Sequence, residues 1–391
     1  MQFSNMFKNI GRIGIEMYLL FQHHTTLEML RDVADDRDLF TITGTGWHFV
    51  KFLGPAVAIV GPDTRSERNP HQVMAGPTYQ GIFPKIAMLP QSVQHCILMI
   101  AVPLIYPRLD SMEQLASSVA TGKKAVTGAY NMLGKVTSSV AGVVGAKGAV
   151  GSGFDSVKRA VGKSGLMGGI LNPFGDIDML DELKDQWTHE SKVSICRSQK
   201  TESSTNCSLK DLERTYLVRT LQGIAHNRNI RFTFLSGATN TAGAGLVHDP
   251  SHPQDHKTMY QLISSSIVAA PPNSYILKLL NSNKPLYIPA NGQRSTPHLP
   301  TDTKEDMMEL FTVDVNGQPN TGNRRLIAKR GYVAIVAYDP EVVNGNFRPG
   351  GPGQGSGKLS LAADFLVQSE GSYGGVMKYG PVVIPSLEFG R

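Results

Sequence analysis

"RFTFLSGATN", residues 231–240, decides the fold. Phe232 and Phe234, with Ile230 just ahead of them, read as a buried strand that ends at the small pair Ser236-Gly237. A strand that stops at a small-residue turn is a frequent mount for chemistry, because the strand fixes position and the turn leaves room. Such a turn is often followed by an Asp, Asn or His that holds a metal. The residues here are Ala238, Thr239 and Asn240. The stretch therefore predicts the scaffold of a site without the charge of one.

Other segments share its pattern. Short apolar runs bounded by Gly, Pro or Asp occur at 55–61, 96–103, 331–339 and 359–368. Between them lie helical patterns. In 212–227, Leu212, Tyr216, Leu217, Leu221 and Ile224 fall on one side. Near the start, Phe3, Met6, Phe7, Ile10 and Ile13 have amphipathic helical spacing. Strands and helices mixed in this way imply an α/β layered fold with buried sheets.

Composition sets the limits. The chain has 391 residues, 41% of them hydrophobic, enough for one large or two medium domains. The net charge is +6, yet no Lys/Arg run is interleaved with aromatics, so nucleic-acid binding is not expected. Three cysteines, Cys96, Cys196 and Cys207, argue against a disulfide framework and for a reducing compartment. No apolar run reaches 18 residues and no secretory signal is evident, so no transmembrane helix is expected. The expected location is cytoplasmic, with peripheral membrane contact left open.

Two segments stand apart. Residues 116–170 are rich in Gly, Ala and Ser, with Lys124, Lys135, Lys147 and Lys158 spaced about 11 residues apart, or ~3.67 residues per turn. One reading is a Gly/Lys-rich linker insertion. The other is a helix formed on an anionic membrane surface, with lysines at the headgroups. Residues 193–208 are polar and patternless. They read as a loop insertion or as a retained intron translated in frame.

Several blocks, in order along the chain, carry a family resemblance. They are LFQHHTT (20–26), DTRSER (63–68), VPLIYPR (102–108), NPFGDIDMLDELKDQWTH (172–189), IRFTFLSG (230–237), GLVHDP (245–250), DHKTMYQLISSSIV (255–268), TDTKEDMMELF (301–311) and GYVAIVAYDPE (331–341). The chain resembles the fungal PhoD-like phosphatases, relatives of alkaline phosphatase D, as a single domain over 1–391. The resemblance implies a metallophosphoesterase-like sandwich of mixed sheets flanked by helices. It implies metal-dependent hydrolysis of phosphate mono- or diesters with iron, calcium or manganese.

The departures from the family matter as much. Typical members follow the strand at 230–237 with Asp-Val-His, where this chain has Ala238, Thr239 and Asn240. They carry Asp-His-Trp-Thr where this chain has Asp185, Gln186, Trp187 and Thr188. A further Asp-Asp-His-Asp block would fall upstream of Met1, which reads as an N-terminally incomplete, divergent member. The expectation is a pseudoenzyme: hydrolysis weak or lost, or a protein that binds phosphorylated ligands or membranes without catalysis.

Candidate residues follow. Asp185 and Asn240 are the residual metal candidates, Asp185 otherwise being a helix cap or solvated acid. Arg65 and Arg68 are candidates for phosphate binding. They are equally placed to pair with Asp63 and Glu67. His23 and His24 read as core or capping residues. His248, His252 and His256 read as a surface loop, since Pro250 and Pro253 exclude a helix there. Ser264, Ser265 and Ser266 read as a strand-to-helix junction without a nucleophile elbow.

Overall fold

The computed structural model describes residues 5–32, 39–44, 46–69, 71–108, 187, 209–272, 274–281, 285–290, 295–345, 357–369 and 375–388. The segments 116–170 and 193–208, Cys196, Cys207 and Asp185 lie outside the described residues.

The chain enters through helices α1 (Asn5–His23) and α2 (Leu27–Asp32). Strands β1 (Leu39–Phe40), β2 (His48–Phe52) and β3 (Val57–Gly61) follow, then α3 (Gly76–Ala87) and β4 (His95–Ile100). Next come α4 (Leu209–Arg228), β5 (Arg231–Gly237), β6 (Ala242–His248), β7 (Met259–Ser264) and α5 (Ser274–Asn281). Short strands β8 (Leu286–Tyr287), β9 (Lys304–Met307) and β10 (Leu326–Ile327) lead to β11 (Gly331–Tyr338), α6 (Pro340–Gly345), β12 (Ser360–Gln368) and β13 (Val376–Ile384).

The large sheet has ten strands in the order β1-β2-β3-β4-β5-β7-β6-β9-β8, with β10 beside β6. Its centre, β3-β4-β5-β7, is parallel; both flanks are antiparallel. Strands β11-β12-β13 form a separate antiparallel sheet.

The central strands are apolar throughout because both faces are covered. Alternate residues Ala58, Val60, Cys96, Leu98, Phe232, Phe234, Met259 and Ile263 join a core with α3, α4 and α5. Their neighbours Val57, Ile97, Tyr260 and Leu262 join a second core with Leu361, Phe365, Val382 and Ile384 of the small sheet. The α/β class with mixed sheets, expected from the sequence, is therefore present, and the five strand segments and the helix at 212–227 all form.

Two local expectations change. His248 is the last residue of β6 and not part of the loop, because the Gly-rich run before it is a strand. No helix starts directly after Ser266; α5 begins at Ser274. No helix among the described residues is long and apolar enough to cross a membrane.

Phe232 is fully buried beneath the helical layer. Phe232→Ala is expected to cost about 3–5 kcal/mol of folding free energy, since the ring leaves a cavity that its neighbours fill only in part. A urea titration measures it, and a loss below about 1 kcal/mol would contradict this packing.

Candidate functional site

Parallel strands all end on one side. The ends of β3, β4, β5 and β7 form one edge, and in open α/β sheets the crevice outside such carboxyl ends is the usual place for a ligand. Register places Ile100 beside Ser236, and Gly237 beside Ser264. The loops Pro62–Arg68, Ala101–Arg108, Ala238–Thr241 and Ser265–Ser266 therefore meet at this edge.

The β5 turn is built from internal bonds. Asn240 has a left-handed backbone, with φ +52°, which Asn tolerates better than most residues. Its side-chain amide donates to the Ala270 carbonyl at 3.0 Å. Thr239 and Thr241 share hydrogen bonds with the buried Tyr106 hydroxyl at 3.3 and 3.0 Å. Burial raises the Tyr106 pKa, so the phenol keeps its proton. Below the turn, the Gln261 carbonyl accepts from Leu104 N at 2.9 Å, and its amide donates to Ser236 Oγ at 3.0 Å. Ala238 offers no donor atom. The turn that would carry metal ligands is therefore a closed set of hydroxyl and amide contacts.

The β3 loop is organised in the same way. Asp63 accepts from the backbone N–H groups of Trp47, Arg65 and Ser66, and from Ser66 Oγ. Burial opposes its charge, but these hydrogen bonds outweigh burial and hold its carboxyl below the usual range. The Asp63 N–H donates to Nδ1 of buried His48, so the His48 proton is on Nε2. Burial lowers the His48 pKa and keeps the ring neutral. Thr64 Oγ1 accepts from Ala101 N at 2.8 Å and ties this loop to β4.

The segment entering α3 is held by two of the chain's own carboxylates: Val73 N and Met74 N donate to Glu213, and Ala75 N to Glu67.

The 101–108 segment is anchored by a buried ionic cluster. Asp211 bonds Arg108 and Arg214, and Arg214 also pairs with Glu305. The backbone N–H of Ser295 donates to Asp211 at 2.8 Å. Burial opposes the Asp211 charge, and the guanidinium groups of Arg108 and Arg214 outweigh it, so its carboxyl titrates below the usual range.

The candidate residues separate accordingly. Arg65, exposed, and Arg68, half-buried, are on the β3 loop, and Asn240 is on the β5 turn. Both loops belong to one edge, about two strand spacings or ~10 Å apart across β4. Arg65 makes no ion pair among the described residues; Asp63 accepts from its backbone, not its guanidinium. Glu67 accepts from the hydroxyls of Thr43 and Thr78. Asp185 lies outside the described residues. His24 follows α1 with φ +54°, and His23 Nε2 bonds the Tyr18 hydroxyl at 2.9 Å. His248, His252 and His256 belong to the opposite edge, beyond the start of β7. There His256 packs against His226 with ring centroids 4.5 Å apart.

Sequence reasoning passed over one feature. A cavity of about 310 Å³ opens between α1 and the ends of β2, β3 and β4, lined by Tyr18, Trp47, Phe49, Asp63, Arg65 and Met99 among others. Gly61 makes it possible: a Cβ there would lie 2.1 Å from the Phe49 ring. No motif marks these residues, and only the glycine closing β3 hinted that something packs against it.

The family profile described as "PhoD related phosphatase" matches residues 1–391. The chain belongs to the PhoD-related phosphatase family. It is 23% identical over 373 residues to "Uncharacterized protein YGR266W" of Saccharomyces cerevisiae, covering 85% of this chain and 44% of that protein. A solved structure titled "Structure of PhoD" is 10% identical, with a TM-score of 0.36, covering 85% of this chain and 40% of that one. The chain thus spans less than half the length of either.

The ionic cluster gives a test of how the edge is held. Asp211→Asn is expected to cost about 3–5 kcal/mol, because it removes the carboxylate charge that bridges the buried Arg108 and Arg214 guanidinium groups. The Asp211 pKa is depressed on folding, so its contribution is full above the unfolded value near ~3.9 and disappears as pH falls through the folded value. Urea titrations from pH 7 to pH 2 should show wild type and variant converging only at the acid end. A constant gap would contradict the assignment.

Proposed function

We propose that this chain is a phosphate-ester-binding member of its family in which metal-dependent hydrolysis is weak or lost. The scaffold is read as a metallophosphoesterase-like sandwich, with the ligand at the common edge of β3, β4, β5 and β7. The observation that carries the reading is the chemistry of the β5 turn. Ala238 has no donor, the Thr239 hydroxyl is shared with Tyr106, and the Asn240 NH2 is held by the Ala270 carbonyl, so the neutral Asn240 Oδ1 is the one uncommitted ligand atom these three side chains offer.

The family implies a catalytic iron, calcium or manganese, and such ions need several Asp, Glu or His donors converging on one point. The residues of this turn do not fit one. Asn240 holds a backbone conformation and an amide contact, which suits a turn residue better than a ligand. What the edge does offer a phosphate ester is positive charge on the β3 loop, in particular the exposed Arg65 guanidinium.

The same reading leaves room for a lipid surface. The lysine spacing of 116–170 supports docking on an anionic membrane, and α1 turns Met6, Ile10, Met17 and Phe21 outward.

The test is hydrolysis of a generic phosphomonoester and a generic phosphodiester by the full chain, with iron, calcium and manganese supplied in turn. The expected result is folded protein with no metal-dependent turnover above the metal-only blank. Turnover that saturates with substrate and with one metal would overturn the reading.

A further inference from the structure

The cavity beside α1 has a chemistry of its own. Three aromatic rings, Tyr18, Trp47 and Phe49, line it together with Ile15 and Met99. One carboxylate, Asp63, is in its wall, and one guanidinium, Arg65, is two residues further along the same loop. The Asp63 charge reaches the aromatic wall: burial and then Asp63 raise the Tyr18 pKa.

The state of Asp63 selects the ligand. Its oxygens already accept four hydrogen bonds from Trp47, Arg65 and Ser66, and its carboxyl titrates below the usual range. At neutral pH it is charged but has little acceptor capacity left. A primary ammonium would lose water there and leave N–H groups unpaired, which is costly. A quaternary ammonium has no N–H to satisfy. It needs only a nearby negative charge and aromatic rings, and Asp63 with Tyr18, Trp47 and Phe49 line the cavity. Arg65 is exposed, makes no ion pair among the described residues and is placed for an anion on the same ligand.

We propose that this cavity binds a phosphocholine group, the quaternary ammonium among Tyr18, Trp47, Phe49 and Asp63 and the phosphate on Arg65. The anionic half of this inference rests on the phosphate-ester reading above; the cationic half does not. The group can come from a free phosphocholine ester or from a choline phospholipid. Helix α1 favours the lipid. Met6, Ile10, Ile13, Met17, Leu20 and Phe21 are each between 44% and 66% exposed on its outer side. Leu19 is buried, and Ile15 and Tyr18 border the cavity. An apolar stripe beside a headgroup pocket is the arrangement of a helix lying in a membrane interface.

The test uses the full chain. It has two tryptophans, and Trp187 is buried at 1% exposure, so Trp47 is the reporter in the cavity. Its emission is followed against phosphocholine, choline and inorganic phosphate, and binding to phosphatidylcholine vesicles is read by flotation. A saturable change is expected with phosphocholine, a weaker one with choline and the weakest with phosphate. Arg65→Gln should weaken phosphocholine about tenfold and leave choline unchanged, as loss of a charge-assisted contact predicts. Trp47→Phe keeps an aromatic wall and should remove the signal while retaining vesicle binding or phosphocholine binding by calorimetry. Vesicle binding competed by soluble phosphocholine assigns the lipid source; soluble binding alone assigns the free ester. No saturable response from folded protein would overturn the inference. Equal affinities for choline and phosphocholine, unaffected by Arg65→Gln, would overturn it as well. A response to phosphate alone would overturn it while leaving the phosphate-ester reading standing.

Discussion

The parallel pairing of β3, β4, β5 and β7 is the constraint on which the rest depends. Parallel neighbours must end at the same edge; from β3 to β4 and from β4 to β5 the chain crosses back over a face of the sheet, and from β5 to β7 it returns through antiparallel β6. Helices α3 and α4 are placed where those crossings need cover, and Phe232 and Phe234 fill the space beneath them. The same geometry brings four loops together at one edge whatever their sequences hold. A family site can therefore lose its ligands one at a time while its position survives, because the position comes from strand direction and not from the ligands.

At that edge the polar atoms are bonded largely to each other. Asp63 is closed by the backbone of its own loop, Gln261 by Leu104 and Ser236, Thr239 by Tyr106 and Asn240 by Ala270. Most buried polar groups here find partners inside the chain; Ser265 Oγ and His48 Nε2 are buried without one among the described residues. Deeper in, charge is balanced over short distances: Arg108 and Arg214 face Asp211 and Glu305. Such a cluster adds little net stability over an apolar equivalent, but once present it holds its segments together, because removing one member leaves the others uncompensated. The loop after β4 is fixed in this way, and with it one wall of the candidate site.

Much of the fold was legible in the sequence, and the exceptions have physical reasons. β3, β4 and β5 announce themselves as apolar runs because they are covered on both faces, and β12 because it alternates; β11 reads the same way although none of its residues is fully buried. β6, AGAGLVH, has no apolar run to mark it as a strand, and Gly245 fits there because a Cβ would lie 2.9 Å from Ile105. β13 contains Pro381, which argues against a strand; it pairs only with β12, and an edge strand tolerates a missing donor. The site was legible as position and not as chemistry. The break after Gly237 and the arginines at 65 and 68 could be found from local sequence. The cavity could not, since Tyr18, Trp47, Phe49 and Asp63 come from three separate elements and no periodicity connects them.

We propose that the strand ends at the common edge of β3, β4, β5 and β7 are held by internal hydrogen bonds in place of a metal. The metal content of the purified full chain, by mass spectrometry of the elements after dialysis against metal-free buffer, tests it most directly. The account predicts well under one ion of iron, calcium or manganese per folded chain. One or two tightly held ions per chain would contradict it.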